Sequence, residues 1–396
     1  MQPHIWMSTK QSSIDKPIIP INKPWLAEEE KNEIMSVLRE NTLTSAAKDG
    51  GKRVRGFEAL LKDYLHVKHA LAVNSGTSAL HASLLAAGIG KGDEVLLPSF
   101  TFVATANSVI ATGARPVFVD INKHDYTINI ENLRAKITNN SKAIIPVHLY
   151  GIPCDMDEIA EVADKQSIVI IEDACQSLGS TYRNRQTGTF GSLGCYSLYA
   201  SKVLTSGEGG AVVTNDDNLA DKIKMIRNHG MVEGYDSRIF GLNLRLPELS
   251  AALAIAQMKK LNKLLELRKR NAELLTSLIS SYANSNEIVL PHENQDKRFN
   301  WYLYTIAFAK NDIRDIVQKR MLSTDNVGAT VYYDPPVHKT PYYERMLASE
   351  SNPPTKDSLS LANTEWASKH VLSLPVHPLV TPEDLKRVAS SIKGAS

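Results

Sequence analysis

The stretch from Ile168 to Thr214, IVIIEDACQSLGSTYRNRQTGTFGSLGCYSLYASKVLTSGEGGAVVT, constrains the chain more than any other. Ile168–Ile171 is an apolar, β-branched run of the length of a strand buried on both faces. It ends on two acids, Glu172 and Asp173. A carboxylate at the C-terminal end of a buried strand faces the crevice where open α/β sheets bind ligands. GCYSLY and GAVVT read as two further strands, and between them lie Lys202 and the glycines Gly207, Gly209 and Gly210. An acid at a strand end and a lysine in a tight glycine-rich connection suit pyridoxal phosphate chemistry. The lysine condenses with the cofactor aldehyde, and the acid keeps the pyridinium nitrogen protonated.

The residues before this stretch alternate between short apolar runs and longer amphipathic ones. HALAVN, EVLLPS, RPVFVD and KAIIPVHLY read as strands; SGTSAL through Ala87, ATANSVIATG and DMDEIAEVADKQ read as helices. Strands alternating with helices predict an α/β domain with a mostly parallel sheet. Ahead of them, AEEEKNEIMSVLREN, with its acidic first turn, and GFEALLKDYLHV read as surface helices. Residues 1–20 are polar with isolated prolines and are expected to form a flexible N-terminal arm, so the large domain spans 21–270. One helical stretch is predicted from Leu246 to about Tyr282, its second half charged on one face as an interdomain helix with a solvated side would be. The strand WYLYTIAF, the helix IRDIVQKRM and two helices around WASKHVL and TPEDLKRVASSI then predict a smaller C-terminal α/β domain over 271–396.

Composition excludes several classes of function. With 43% hydrophobic and 22% charged residues and a net charge of +2, the chain is an ordinary globular sequence without the basic surface of a nucleic-acid binder. The N-terminus lacks an apolar core of signal-peptide length and no later stretch is long and uncharged enough to span a bilayer, so the expected location is cytoplasmic, with no membrane partner. Cys154, Cys175 and Cys195 form no CxxC pair, and the eleven histidines show no HxxxH or HxH spacing, so no metal is expected.

Ser75–Thr77 (SGT) lies between a predicted strand and a predicted helix, where Gly76 admits an anion, Thr77 offers a hydroxyl and the helix N-terminus supplies free N–H groups. Alone, such a motif is a helix cap, Asp173 a solubilising acid and Lys202 a surface lysine. Together, in this order, they describe a phosphate cradle, an acid and a lysine serving one site.

EDACQS and YSLYASKVLTSGEGGAVVTND resemble the sugar aminotransferases of the DegT/DnrJ/EryC1/StrS family. So do NSGTSALHASLLAAGIGKGDEVLLPSFTFVATANSVIATGARPVFVDI, PVHLYGIPCDMDEI, IRNHGM, GLNLRLPELSAALAIAQ and SLPVHPLVTPEDLKRV, in collinear order over roughly residues 20 to 390. The resemblance implies the fold type I architecture of pyridoxal phosphate enzymes, working as a homodimer with shared active sites. It implies Lys202 as the residue bonded to the cofactor and as general base, with Asp173 on the pyridinium nitrogen. Gln176 is then expected near the ring, Phe102 stacked on it, and Gly76, Thr77 and Ser197 on the phosphate. Asn243 is expected to reach the phosphate of the partner subunit. His148, Tyr150, His229, Tyr332 and His338 match positions that could line a substrate pocket; by residue type alone they read equally as packed aromatics and core histidines. Many relatives have GYNYRM where this chain has GLNLRL, so Leu242 and Leu244 replace two aromatic rings. Relatives with histidine in place of the lysine act as dehydratases, so Lys202 favours transamination. The implied reaction takes the amino group of an amino acid, L-glutamate being the expected donor, to the ketone of a nucleotide-linked deoxysugar for polysaccharide or glycan biosynthesis. The alternatives are a keto-cyclitol (scyllo-inosose type) aminotransferase and a non-catalytic regulatory protein of the same fold.

Overall fold

The computed structural model describes residues 17–283, 287–349 and 360–393. Its strands are β1 His69–Val73, β2 Glu94–Pro98, β3 Arg115–Val119, β4 Ser141–Ile144, β5 Val169–Asp173, β6 Thr181–Tyr182, β7 Arg185–Gln186, β8 Leu193–Ser197, β9 Gly210–Thr214, β10 Ile288–Val289, β11 Lys297–Arg298, β12 Tyr304–Phe308 and β13 Val371–Leu374. Seven of them form one sheet in the order β1-β9-β8-β5-β4-β2-β3. β9 runs against both β1 and β8, and every other pairing in this sheet is parallel. β10, β12 and β13 form a smaller antiparallel sheet, and β11, β6 and β7 a third.

Strand alternation sends each strand's side chains to two cores. Leu71, Val73, Ile171, Leu193 and Val212 pack with helices Gly76–Ala86, Val103–Ala111 and Asp217–Ile226. Ala70, Ala72, Ala211 and Val213 face helices Lys52–Leu65 and Glu248–Lys259, and Ile144 and Ile170 face Ile130–Lys136 and Met156–Gln166. With helices on both faces the large sheet is dry on both sides, which is why its strands read as apolar runs. A further core gathers Tyr304, Ile306 and Phe308 of β12, Leu372 and Leu374 of β13, and Ala272, Leu275 and Ile279. Of the arm expected at 1–20, residues 1–16 lie outside the described residues, while Ile19 is buried in this last core and donates its N–H to Asn326 O at 2.9 Å.

Four expectations about elements change. KAIIPVHLY is a strand only as far as Ile144; Pro146 has no N–H to continue the ladder, and the chain turns through Leu149–Gly151 with Tyr150 at φ 60°. The helix from Leu246 to Tyr282 is two, Glu248–Lys259 and Leu261–Ser280. WASKHVL divides into helix Ala362–His370 and strand β13, because Val371–Leu374 pairs with β12 across the small core. WYLYTIAF starts its strand only at Tyr304, and Trp301 sits at φ 53° in a turn ahead of it. Helices Ile130–Lys136, Asp217–Ile226 and Pro341–Ala348 were not read from sequence, although Asp216 caps the second by accepting from the Asn218 and Leu219 N–H groups. Among the described residues, no helix is long and apolar enough to cross a membrane, and no three His, Cys, Asp or Glu side chains gather as metal ligands would.

Candidate active site

The site forms where β1, β5 and β8 end together. Asp173 pairs with Cys195 across β5 and β8, Ser197 pairs with Gly210 across β8 and β9, and Gly210 pairs with Val73 at the end of β1. Three residues beyond Val73 the helix Gly76–Ala86 begins, its N-cap Ser75 accepting from Ser78 N at 3.0 Å. The Gly76 and Thr77 N–H groups head this helix, ahead of its first hydrogen-bonded turn. Only glycine fits at 76: a Cβ there would lie 2.8 Å from Ser197 Cβ and 2.9 Å from Cys175 Sγ. Gly210 is required for the same reason, since its Cβ would lie 2.3 Å from Ser75 O. Gly76, Thr77 and Ser197 are thus one cradle, with the N–H groups and dipole of a helix start behind it.

The two acids at the end of β5 separate to opposite faces. Asp173, on the Ile171 face, is buried; its Oδ2 accepts from Thr105 Oγ1 at 2.8 Å and its Oδ1 from Cys175 N at 3.1 Å. Thr105 belongs to helix Val103–Ala111 and has no sequence signal that ties it to Asp173. Glu172, on the other face, is fully buried, and its carboxylate accepts from the N–H groups of Gly188 at 2.7 Å and of Phe190 and Gly191 at 2.6 Å each. His148 joins that network: Nδ1 accepts from Cys154 N at 3.0 Å, so Nε2 carries the proton and donates to Glu172 at 2.9 Å. Fully buried and with both nitrogens bonded inside the protein, His148 is a core histidine and leaves the set of substrate-pocket candidates.

Lys202 donates its backbone N–H to Tyr199 O at 2.9 Å, and its Nζ lies 3.3 Å from Tyr302 Oη and 4.4 Å from the centroid of that ring. The Cys175 thiol is pushed well above its ordinary pKa by burial first and by Asp173 second, while Lys202 acts in the opposite sense. Cys175 thus packs on the Gly76 cradle while its N–H is donated to Asp173. Gln176 accepts from Tyr150 N at 2.9 Å and donates through Nε2 to Tyr333 Oη at 3.1 Å. Phe102 is 55% exposed, with its ring centroid 6.2 Å from that of Tyr333. Tyr332 stands beside them, half-buried, its hydroxyl pushed up to about 12 by burial and by Tyr302.

The other candidates fall outside this group. Tyr150 is packed edge-on against Phe100 and Tyr126, and its hydroxyl donates to the Tyr332 carbonyl; it braces the pocket wall from behind and is no lining residue. His338 is buried against Phe118, with Nδ1 2.6 Å from Ser99 Oγ and Nε2 3.7 Å from Glu365, and burial pushes it down to about 4. His229 is exposed at φ 60° on the loop after helix Asp217–Ile226, its N–H donated to Leu242 O at 2.9 Å. Asn243 is exposed, and its carbonyl accepts from Asn74 Nδ2 at 3.3 Å, beside the cradle of its own chain. Thr105, Tyr302 and Tyr333 are the site residues that sequence reasoning missed; the tyrosine pair in VYYDPPVH was the one signal available.

The arrangement fits pyridoxal phosphate. The cradle is kept open by a glycine, the Asp173 carboxylate retains lone pairs beyond its two hydrogen bonds, and a lysine, Lys202, follows the strand β8 that ends on the cradle residue Ser197. A mixed sheet with one reversed strand, a helix start aimed into the strand ends, and a lysine following β8 define a pyridoxal phosphate-dependent transferase of fold type I. The chain belongs to the DegT/DnrJ/EryC1/StrS aminotransferase family, whose model matches residues 24–393. It is 35% identical over 382 residues to the GDP-perosamine synthase of Caulobacter vibrioides, covering 96% of this chain and 98% of that one. It is 37% identical over 366 residues to a pleiotropic regulatory protein of Geobacillus stearothermophilus, covering 92% and 95%. Among solved structures it superposes on S. venezuelae DesV, crystallised in complex with a ketimine intermediate, with a TM-score of 0.83 at 33% identity over 95% of this chain and 98% of that one. The protein is a pyridoxal phosphate-dependent sugar aminotransferase.

Proposed function

We propose that this aminotransferase takes the amino group of L-glutamate and delivers it to the ketone of a nucleotide-linked deoxysugar, in the cytoplasm, for polysaccharide or glycan assembly. The observation that supports the residue roles is the packing of Gly76 against Ser197 and Cys175, with the Cys175 N–H donated to the Asp173 carboxylate. Bound there, the cofactor supplies a cationic ring that takes up the electrons left when a carbon-bound proton departs. The chain supplies the rest. Asp173 holds a proton on the ring nitrogen, and Thr105 aims the carboxylate. Gly76, Thr77 and Ser197 bind the phosphate, and Phe102 covers a ring face. Gln176, tied to Tyr150 and Tyr333, holds the pocket wall beside the ring. The Lys202 amine, once free, takes the proton from the substrate carbon and returns it one position along. Tyr332 and the exposed His229 remain as the candidates that face the sugar.

The working unit in this proposal is a homodimer, with Asn243 of one copy reaching the phosphate in the other. The exposed side chain of Asn243 supports it, as do the exposed rings of Tyr235 and Phe240 on the same loop. The deciding measurement is the absorbance spectrum of the purified protein with pyridoxal phosphate, before and after L-glutamate. A yellow band that fades on glutamate and is absent in Lys202→Ala supports the donor half. A band indifferent to glutamate overturns the donor. For the acceptor, 2-oxoglutarate release is followed with a nucleotide-linked 4-keto sugar and with a keto-cyclitol; turnover with the cyclitol alone would replace the sugar reading.

A further inference from the structure

The turn carrying Tyr302 is held more firmly than a turn needs to be. Trp301 sits at φ 53°, a conformation that an aromatic residue adopts only when its surroundings enforce it. Asn300 accepts the Tyr302 N–H at 2.9 Å and donates from Nδ2 to the carbonyls of Gln176 at 2.9 Å and Leu178 at 3.0 Å. From the other side the buried guanidinium of Arg268 donates to the Trp301 and Tyr302 carbonyls, at 3.2 Å each, and to Asn22 Oδ1 at 2.9 Å. Tyr302 is consequently locked to the segment that follows Asp173, with its buried ring under the lysine amine and its hydroxyl between Ser201 Oγ at 3.2 Å and Lys202 Nζ at 3.3 Å. A ring face and a hydroxyl lone pair both attract an ammonium group.

We propose that Tyr302 is a positioning residue for Lys202: its ring and hydroxyl form the resting place to which the lysine amine returns whenever it is not bonded to the cofactor. The inference rests on the assignment of Lys202 as the reactive lysine. It gives the amine one fixed position in place of the many rotamers open to a lysine side chain, so the proton-moving group starts each half-reaction at a defined place. It also explains the strained turn, whose bonds serve the aim of one ring.

The test uses cofactor-free full-length protein and a small amine-acylating reagent, with the labelling rate of Lys202 read by peptide mass spectrometry at pH 8 and the exposed lysines Lys31 and Lys165 as internal standards. Tyr302→Phe keeps the ring and loses the hydroxyl; Tyr302→Leu loses both. Lys202 is expected to label about three- to tenfold faster in Tyr302→Phe, and faster again in Tyr302→Leu, with the standards unchanged. Equal Lys202 rates in wild type and Tyr302→Phe, or an acceleration shared by the standards, would overturn the proposal. The assay requires no cofactor or turnover, so its failure is distinct from a failure of the aminotransferase assignment, which the absorbance spectrum reports.

Discussion

Asp173 and Glu172 are neighbours in the chain and meet different partners, because a strand sends successive side chains to opposite faces. Asp173→Asn preserves shape and the Thr105 contact but removes the charge that keeps a ring nitrogen protonated. Its kcat with glutamate is expected to fall on the order of 10²-fold or more, with cofactor still bound, measured by steady-state turnover and absorbance. Glu172→Gln should instead lower stability, since one fully buried carboxylate serves three N–H groups and His148. About 2–3 kcal/mol is expected from urea unfolding, with little change in activity per folded molecule. Gly76→Ala places a methyl group against Ser197 and Cys175 and should weaken pyridoxal phosphate binding about tenfold or more, read by fluorescence titration. A wild-type affinity there would show that the phosphate sits elsewhere.

Between elements, two buried charge arrangements control how loops meet helices. Lys297 of β11 donates to Asp125 at 2.8 Å and Asp155 at 2.9 Å, tying the loop after β3 to the start of helix Met156–Gln166. Lys297→Met leaves the buried Asp125 without its partner, and a loss of about 3–5 kcal/mol in denaturant unfolding is expected. The second arrangement responds to pH. His338 and His377 are both pushed down to about 4, primarily by burial, from an ordinary histidine value of about 6.5. Between those values the unfolded chain binds more protons than the folded one, so the stability they contribute is complete above about pH 6.5 and is lost as pH falls toward 4. The urea midpoint should therefore drop between pH 7 and pH 5, and drop less in His338→Gln. An unchanged slope in that variant would mean that His338 is already charged in the folded state.

At the scale of the whole molecule, the proposed sharing of sites between two copies has a direct test. Lys202→Ala and Asn243→Ala are each expected to be nearly inactive alone. If Asn243 serves the other copy's site, refolding the two together yields hybrid dimers with one intact site, and about a quarter of wild-type activity returns. If each copy completes its own site, the mixture stays as inactive as its components, and the Asn243 carbonyl's contact with Asn74 of the same chain becomes the relevant geometry.

Local patterns determined much of this protein. The apolar runs that became β1, β2, β3, β5, β8 and β9 and the helix start at Ser75–Thr77 are features of neighbouring residues, so periodicity and turn chemistry expose them. The tertiary structure decided what lies across the chain. Thr105 meets Asp173 over 68 positions and Tyr302 meets Lys202 over 100, and no local pattern encodes such pairs. Only the fold showed that His148, Tyr150 and His338 are enclosed while Phe102 is open, because residue type is the same in a core and in a pocket. Burial, and with it the partner each polar atom finds, is a property of the packed elements.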